Sequence, residues 1–498
     1  MLKGYRSYLA AALTAPLIVL SYPKFSFGWL AWLALAPLAY FLLKARSARA
    51  AAAGGLLCGF LTYLGLLYWI YPTMRAGGVG PAVSALGLVL LAAVLSLEFV
   101  LFSLYGFYLR KAGPRAWPWL FALGWYLLEY GKVQLAMKAV WFPWFMLGYT
   151  QWSYTPIIQI ASVAGVYGLS AALALSGALA ASALASDGPA WRRALRFSPA
   201  LLALAGLWLF GRRELASAGA PDGTLGIALL QPSIDQYAKW DASQEAAIER
   251  TMEELSARAA GAELTLWPEN ALPCWIDEPA CYAWLKKAVS PRAGYSLVGS
   301  VSKGGGKHVS ALLLDGKGAI AASYNKRLLV PFGEYVPLRG LLGKFIAPVA
   351  ELGEFEPGAP DQPLFALRGL KLGVAVCYES IFPPLFTGDA AQGADLFVNI
   401  TNDGWYLDTS APYQHFAANV LRAVETRRSL ARAANNGVSG LIDPWGRVTA
   451  RTALNERTVL EVSAPVHKAP SAFTLYGGRI TLAVFLAVAA FLLAVLFI

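Results

Sequence analysis

Glu269, Lys326 and Cys377 carry side chains suited to acyl chemistry, and each stands at or just past the end of a short apolar run. Cys377 closes the run in Leu370–Ile381, LKLGVAVCYESI; Glu269 follows Leu264–Trp267 through Pro268; Lys326 follows a run ending near Tyr324. A carboxylate can take a thiol proton, the thiolate can attack a carbonyl carbon, and an ammonium can stabilise the oxyanion that forms. Taken one at a time these residues have plainer readings. A free cysteine is commonly a small buried hydrophobe, and a lone Glu or Lys is commonly a solvated charge. The segment after Cys377, with Glu379 and Ser380, can open a helix whose backbone N–H groups would favour the thiolate.

The elements that must hold these residues lie between Asp222 and Pro465, where short strands alternate with helices in a layered α/β pattern. Strands are predicted at Leu225–Gln231, Leu264–Trp267, Ser296–Val301, Val309–Leu314, Ala319–Tyr324, Leu372–Val376, Leu396–Ile400, Val438–Ile442 and Val459–Val462. Apolar residues at three- and four-residue spacing predict helices over Ser243–Ala260 and Tyr413–Ala434. Asp315-Gly316-Lys317-Gly318 and Asp443-Pro444-Trp445-Gly446 read as hairpin turns. If the strands run parallel in one sheet, the ends bearing Glu269, Lys326 and Cys377 share one edge, where α/β folds place their sites.

The remainder of the chain is lipid-like. With 498 residues, 57% hydrophobic and 13% aromatic, part of it must lie in a bilayer. The net charge of +11 falls between apolar runs rather than in a basic block with interleaved aromatics, which argues against nucleic acid. Four cysteines without CxxC spacing and three histidines fit neither a disulfide scaffold nor a metal site. Cys274 and Cys281 either pair or stay free, as geometry decides. At about 20 apolar residues per span, eight spans are predicted: 7–22, 26–43, 50–71, 82–109, 116–131, 155–185, 197–211 and Ile480–Ile498. The first also admits a signal peptide, but a second apolar span follows at once, which favours a retained helix. Lys and Arg are richer on the N-terminal flank and alternate loops, predicting a cytoplasmic N-terminus and the segment 216–478 on the opposite side. Val140–Trp152, VWFPWFMLGYTQW, reads as an interfacial aromatic belt or a lipid-chain wall. Glu98 and Glu129 are the main carboxylates within the spans, and Glu129 reads as a snorkelling group.

WPENALP (267–273), NKRLLVPFGEYVPLR (325–339) and CYESIF (377–382) resemble the Glu-Lys-Cys motifs of the nitrilase, or carbon–nitrogen hydrolase, superfamily. GEYVP, FPWFMLGYTQ (142–151) and the eight spans resemble one branch, the apolipoprotein N-acyltransferases. The resemblance implies a polytopic helical membrane bundle with an αββα sandwich domain: 1–216 membrane, 217–467 catalytic, 468–498 a last span. It implies that a phospholipid, typically phosphatidylethanolamine, gives its sn-1 acyl chain to a cysteine as a thioester. The amine of a lipoprotein's diacylglyceryl-cysteine then takes it. By motif position Cys377 is the nucleophile, Glu269 the base and Lys326 the oxyanion stabiliser. Glu334 is a further essential glutamate that positions Lys326 or the amine. Trp240, Tyr378 and Glu379 occupy positions around the site, although Trp240 also reads as packing and Glu379 as serving the turn. Asn402 and Asp403 read as loop-shaping. His308, His415 and His467 read as surface or packing groups, with His415 the one to watch.

No cofactor or metal is implied, and the expected setting is a monomer in a bacterial inner membrane with its catalytic domain in the periplasm. Leu341–Val349, LLGKFIAPV, either dips into the outer leaflet or is an ordinary buried loop. Two rival readings use the same residues: a membrane-tethered amidase that releases its acyl group to water, and a transporter or lipid-binding protein with a degenerate domain.

Overall fold

The computed structural model describes residues 2–237, 239–290, 294–337 and 355–496. Leu341–Val349 lies outside them. The chain divides into two compact units, Met1–Ala218 with Leu475–Ile498, and Gly219–Thr474.

The first unit is helical. Among the described residues five helices are long and apolar enough to cross a membrane: Ala48–Leu66, Pro81–Lys138, Ala161–Ala185, Ala190–Ala216 and Ala472–Ala494. Tyr8–Ser21 and Gly28–Lys44 are apolar but shorter. Five is fewer than the eight spans expected, in part because Pro81–Lys138 is a continuous helical run of 58 residues. That run doubles back on itself. The helices Leu97–Tyr108 and Gly113–Lys138 meet across a short turn, with Trp117 Nε1 donating to Gly106 O (2.9 Å) and Tyr105 Oη to Leu120 O (2.7 Å).

Val140–Trp152 is not an aromatic belt. Trp144, Phe145, Met146, Leu147 and Tyr149 are all buried. The loop's backbone is satisfied by side chains: Met146 N donates to Tyr22 Oη (2.8 Å), Leu147 N to Glu129 Oε1 (2.8 Å) and Gly148 N to Ser170 Oγ (2.8 Å). Irregular backbone among apolar helices needs such internal partners. Glu129 accordingly does not snorkel; it is buried and also accepts from Trp125 Nε1 (2.8 Å).

The second unit contains two six-stranded sheets. Sheet one has the order β12 (Thr458–Val466), β1 (Gly223–Gln231), β2 (Leu264–Leu266), β3 (Tyr295–Ser302), β4 (His308–Leu314), β5 (Ile320–Asn325). Sheet two has the order β11 (Val448–Arg451), β10 (Gly440–Ile442), β9 (Leu430–Ala434), β8 (Leu396–Thr401), β7 (Leu370–Val376), β6 (Phe365–Leu367). β1, β2 and β3 run parallel, as do β7, β8 and β9, and the outer strands are antiparallel.

Side-chain alternation explains the layering. In β1, Leu225, Ile227 and Leu229 join one core with Val374 and Val376 of β7 and Val398 and Ile400 of β8. Ala228 and Leu230, pointing the other way, join a second core with Ile248, Met252 and Leu255 of the helix Glu245–Arg258. Sheet two likewise packs outward on helices, with Phe397 of β8 against Phe386 of the helix Pro383–Ala391 (ring centroids 4.8 Å apart). A strand covered on both faces reads as a near-continuous apolar run, which is why LTL, LKLGVAV and LFVNIT were visible in sequence.

The helix predicted over Tyr413–Ala434 stops at Thr426. Arg427 takes a left-handed conformation (φ 55°) that ends it, and Leu430–Ala434 becomes β9. LARAA, all good helix formers, suits a helix locally, but here it fills the slot between β8 and β10. β6 and β11 were also unforeseen. Both hairpin turns form: Asp315 Oδ1 accepts from Lys317 N and Ala319 N, and Asp443 Oδ1 from Trp445 N and Arg447 N, all at 2.9 Å.

Candidate active site

The three strand-end residues meet, though not along one sheet edge. Glu269 follows β2 and Lys326 follows β5, both in sheet one, whereas Cys377 follows β7 in sheet two. The site is built across the seam between sheets whose apolar faces pack together.

Each turn is tied down. After β2 the chain bends through Pro268, and Ala271 N donates to Gly299 O of β3 (2.9 Å). Gly299 allows this approach, because a Cβ there would overlap Pro268 O. Lys326 is fixed at both ends of its peptide, its N–H donating to Val309 O and its carbonyl accepting from Gly358 N, each at 2.8 Å. Cys377 opens a short 3-10 turn, Cys377–Ile381, in a left-handed conformation (φ 51°) that costs a non-glycine residue about 1–3 kcal/mol.

Two buried groups hold that strained turn. Glu379 accepts from Val376 N (2.7 Å), Arg327 N (2.6 Å), Leu328 N (3.2 Å) and Tyr324 Oη (2.9 Å). It therefore does more than serve its own turn: it fastens the segment after Lys326 to the base of Cys377. On the other side His415 Nε2 lies 3.0 Å from Cys377 O and 2.9 Å from Ser380 Oγ, and Nδ1 lies 2.9 Å from Asp403 Oδ1. Arg432 Nη2 closes this network on Asp403 Oδ2 (2.7 Å). Burial and the Arg432 charge keep His415 below its ordinary pKa and hence neutral. Burial would raise Asp403, but Arg432 and His415 outweigh it and hold the carboxyl below the usual range.

At the centre Lys326 Nζ bridges Glu269 Oε1 (3.1 Å) and Glu334 Oε1 (2.6 Å). Asn402 N donates to Glu269 Oε2 (3.0 Å), and Val330 N donates to Glu334 Oε2 (2.8 Å). Burial alone would strip the proton from Lys326, yet Glu269 and Glu334 overcome it and hold the amine firmly protonated. Burial also raises the Glu334 carboxyl, against the pull of Lys326.

The thiol faces this cluster. Burial first, then the Glu269 charge, push the Cys377 pKa up, while Lys326 and a bond from Thr401 pull it down. The net shift is upward, so the resting group is a thiol, contrary to the thiolate expected from backbone donors alone. Desolvation outweighs what a five-residue turn can supply. Glu269 is the carboxylate whose charge acts on the thiol and which also touches Lys326.

Of the remaining expected residues, Tyr378 is buried within the turn, its ring 5.1 Å from Phe382. Trp240 is 49% exposed and packs near Trp275 (6.0 Å) rather than joining the hydrogen-bonded cluster. Among the described residues no group of metal-binding side chains occurs. Cys274 and Cys281 form a disulfide, leaving Cys58 and Cys377 free.

Residues 226–469 match the carbon–nitrogen hydrolase family, and residues 14–179 match the apolipoprotein N-acyltransferase N-terminal domain. An apolipoprotein N-acyltransferase of Geobacter metallireducens is 36% identical over 95% of this chain and 92% of its own. One from Azotobacter vinelandii is 35% identical over 92% of this chain and 89% of its own. The chain belongs to the apolipoprotein N-acyltransferase family. A solved structure of an amidase from Nesterenkonia sp. is 24% identical over 50% of this chain and 94% of that one, with a TM-score of 0.37. Both family regions fall where the chain changes character, the N-terminal one on the apolar helices and the hydrolase one on the paired sheets.

Sequence reasoning missed the support of the cluster more than its centre. Asn402 and Asp403 read only as loop-shaping and His415 as a group to watch, and neither the Asn402 N–H bond to Glu269 nor the closing of the His415–Asp403 pair by Arg432 was foreseen, since these partners lie far apart in sequence.

Proposed function

We propose that the protein transfers a phospholipid acyl chain through a Cys377 thioester to the amine of a diacylglyceryl-cysteine at a lipoprotein N-terminus. Glu269 takes the thiol proton as sulfur attacks the ester carbonyl, and the Lys326 ammonium stabilises the oxyanion. Collapse breaks the ester C–O bond, and Glu269 returns the proton to the departing lysophospholipid. In the second half the acceptor nitrogen attacks the thioester, Glu269 takes a proton from it, and the thiolate leaves with that proton. Glu334 positions Lys326, Glu379 and Tyr378 shape the turn under Cys377, and Trp240 stands at the rim.

The observation that carries this reading is the bridged ammonium, Glu269–Lys326–Glu334, facing a thiol that burial keeps protonated. No cofactor enters any step. The donor we assign is phosphatidylethanolamine, by its sn-1 chain. Acyl chains cost about 0.8 kcal/mol per CH₂ to withdraw from an apolar phase, which supports housing the chemistry in a membrane protein. We assign it to a bacterial inner membrane as a monomer, with the catalytic domain periplasmic and boundaries at 1–216, 217–467 and 468–498. Eight spans remain our topology, because a straight helix of 58 residues would measure about 87 Å, several times a bilayer core.

Intact-protein mass spectrometry after incubation with phosphatidylethanolamine tests the reading. Wild type should gain one hydroxylamine-sensitive acyl chain, and Cys377→Ala none. Absence of the adduct in folded wild type would refute the thioester route.

A further inference from the structure

A second lysine, Lys239, is buried near enough to Glu269 to feel its charge, and the steps above give it no task. Lys239 sits between β1 and the helix Glu245–Arg258, in a segment pinned beside Glu269. Ser233 N donates to Asn435 O (2.8 Å) and Ile234 N to Asn435 Oδ1 (3.0 Å). Gln236 Oε1 accepts from the side chain of Asn402, whose own N–H holds Glu269. Lys239 is 2% exposed, against 4% for Cys377 and Glu269 and 1% for Lys326, so it shares their shelter from water.

Its bonding is the reverse of that of Lys326. Lys326 has two carboxylate acceptors; among the described residues Lys239 Nζ has none, and lies 5.6 Å from the centroid of the Trp240 ring. Glu269 is the charged group on another element that influences it, while Asp235 and Asp241 of its own segment are exposed. A buried ammonium without acceptors is strongly disfavoured, and such a lysine gives up its proton. Burial lowers its pKa to about 7 despite Glu269, so a substantial share is neutral amine at neutral pH.

The transfer leaves one proton without a destination. The acceptor's α-amine arrives mostly as an ammonium, with an ordinary pKa of about 7.7–8.0, and loses two protons in becoming an amide. Glu269 carries one to the departing thiolate. We propose that the Lys239 amine takes the other, and is the base that converts the acceptor's ammonium into the attacking amine. The N–H bond of the ammonium breaks, its proton joins the Lys239 lone pair, and the freed pair forms the new C–N bond as the C–S bond breaks. Lys239 then returns its proton to water. This inference rests on the Cys377 thioester reading and deepens its second half.

Single-turnover kinetics separate the two halves. Wild type, Lys239→Met and Lys239→Arg are loaded from phosphatidylethanolamine vesicles, and the thioester is quantified by intact mass. A synthetic diacylglyceryl-cysteine peptide is then added across a range from about pH 6 to about pH 9. Both variants should load at near the wild-type rate, which also certifies their folding. Both should then transfer about tenfold to hundredfold more slowly at neutral pH. In both, the rise of rate with pH should move up toward the peptide's own amine titration, narrowing the deficit at alkaline pH. Rescue by Arg, which keeps the charge but cannot accept a proton, would overturn the proposal, as would transfer at the wild-type rate or equal slowing of both halves. Failure of wild type to form a thioester would instead overturn the underlying reading.

Discussion

Both units bury a carboxylate against a lysine, and they use the pair in opposite ways. In the helical unit Glu98 accepts from Lys132 Nζ (3.2 Å), Tyr63 Oη (2.5 Å) and Trp141 Nε1 (2.7 Å), so both oxygens are committed to groups that tie helices to the loop Val140–Trp152. In the sheet unit Lys326 also has carboxylate partners, but Cys377 is a free thiol, and Lys239, within reach of the Glu269 charge, has no acceptor among the described residues. Saturated buried charge fixes a structure; incompletely satisfied buried charge is costly and marks a place where a reactant completes the set. The contrast separates the two clusters where burial alone does not, since Glu98 and Lys132 are as hidden from water as Glu269, Lys326, Cys377 and Lys239.

If the contrast holds, damage to the sheet cluster should appear in rate and damage to the helical cluster in stability. The largest effect belongs to Glu269→Gln: acyl-enzyme formation should fall by about 10²–10⁴-fold in single-turnover assays with little change in thermal midpoint. A variant that melts early but reacts normally would erase the distinction. Next comes Glu98→Gln, which leaves Lys132 buried without its counter-charge and should cost about 3–5 kcal/mol of stability in denaturant or thermal melts. The fraction that stays folded should load Cys377 at the wild-type rate. Glu334→Gln keeps the shape but weakens the clamp on Lys326; a loss of about tenfold to hundredfold in acyl-enzyme formation is expected, with the loading stoichiometry unchanged.

The smallest effect sharpens the comparison through pH. Asp403 and His415 both have folded pKa values below their ordinary ones. In each case the unfolded chain binds protons more readily, so stability rises with pH. The His415 contribution is present in full above about pH 6.5 and is lost as the pH falls toward its folded pKa; the Asp403 contribution is lost below about pH 3.9. Thermal melts of the sheet unit should therefore weaken on mild acidification, and His415→Asn should flatten that dependence above about pH 5. An unchanged profile in the variant would detach His415 from the support of Cys377.

Much of the sheet unit could be read from its residues. Strands such as LKLGVAV and LFVNIT show because both their faces are covered, and Asp315 and Asp443 mark their hairpins because their side chains bond backbone two and four residues on. These signals are local. Leu430–Ala434 misled for the same reason: Leu, Arg and three Ala are all good helix formers until a slot between two strands claims them. Val140–Trp152 misled because aromatic crowding suits a headgroup layer as well as a packed interior, and what decides is Glu129, Ser170 and Tyr22 meeting its N–H groups.

The sequence by itself determined which atoms the site would have: a thiol, a carboxylate and an ammonium at the ends of apolar strands, with Glu334 added by the GEYVP motif. Tertiary structure decided that the strands belong to two sheets, that Cys377 rests as a thiol, that Lys326 keeps its proton and that Lys239 readily loses one. The reason is physical. Strand and turn signals depend on neighbours a few residues away, whereas a charge state depends on how much water is excluded and on partners such as Glu269 and Lys326, 57 residues apart in the chain.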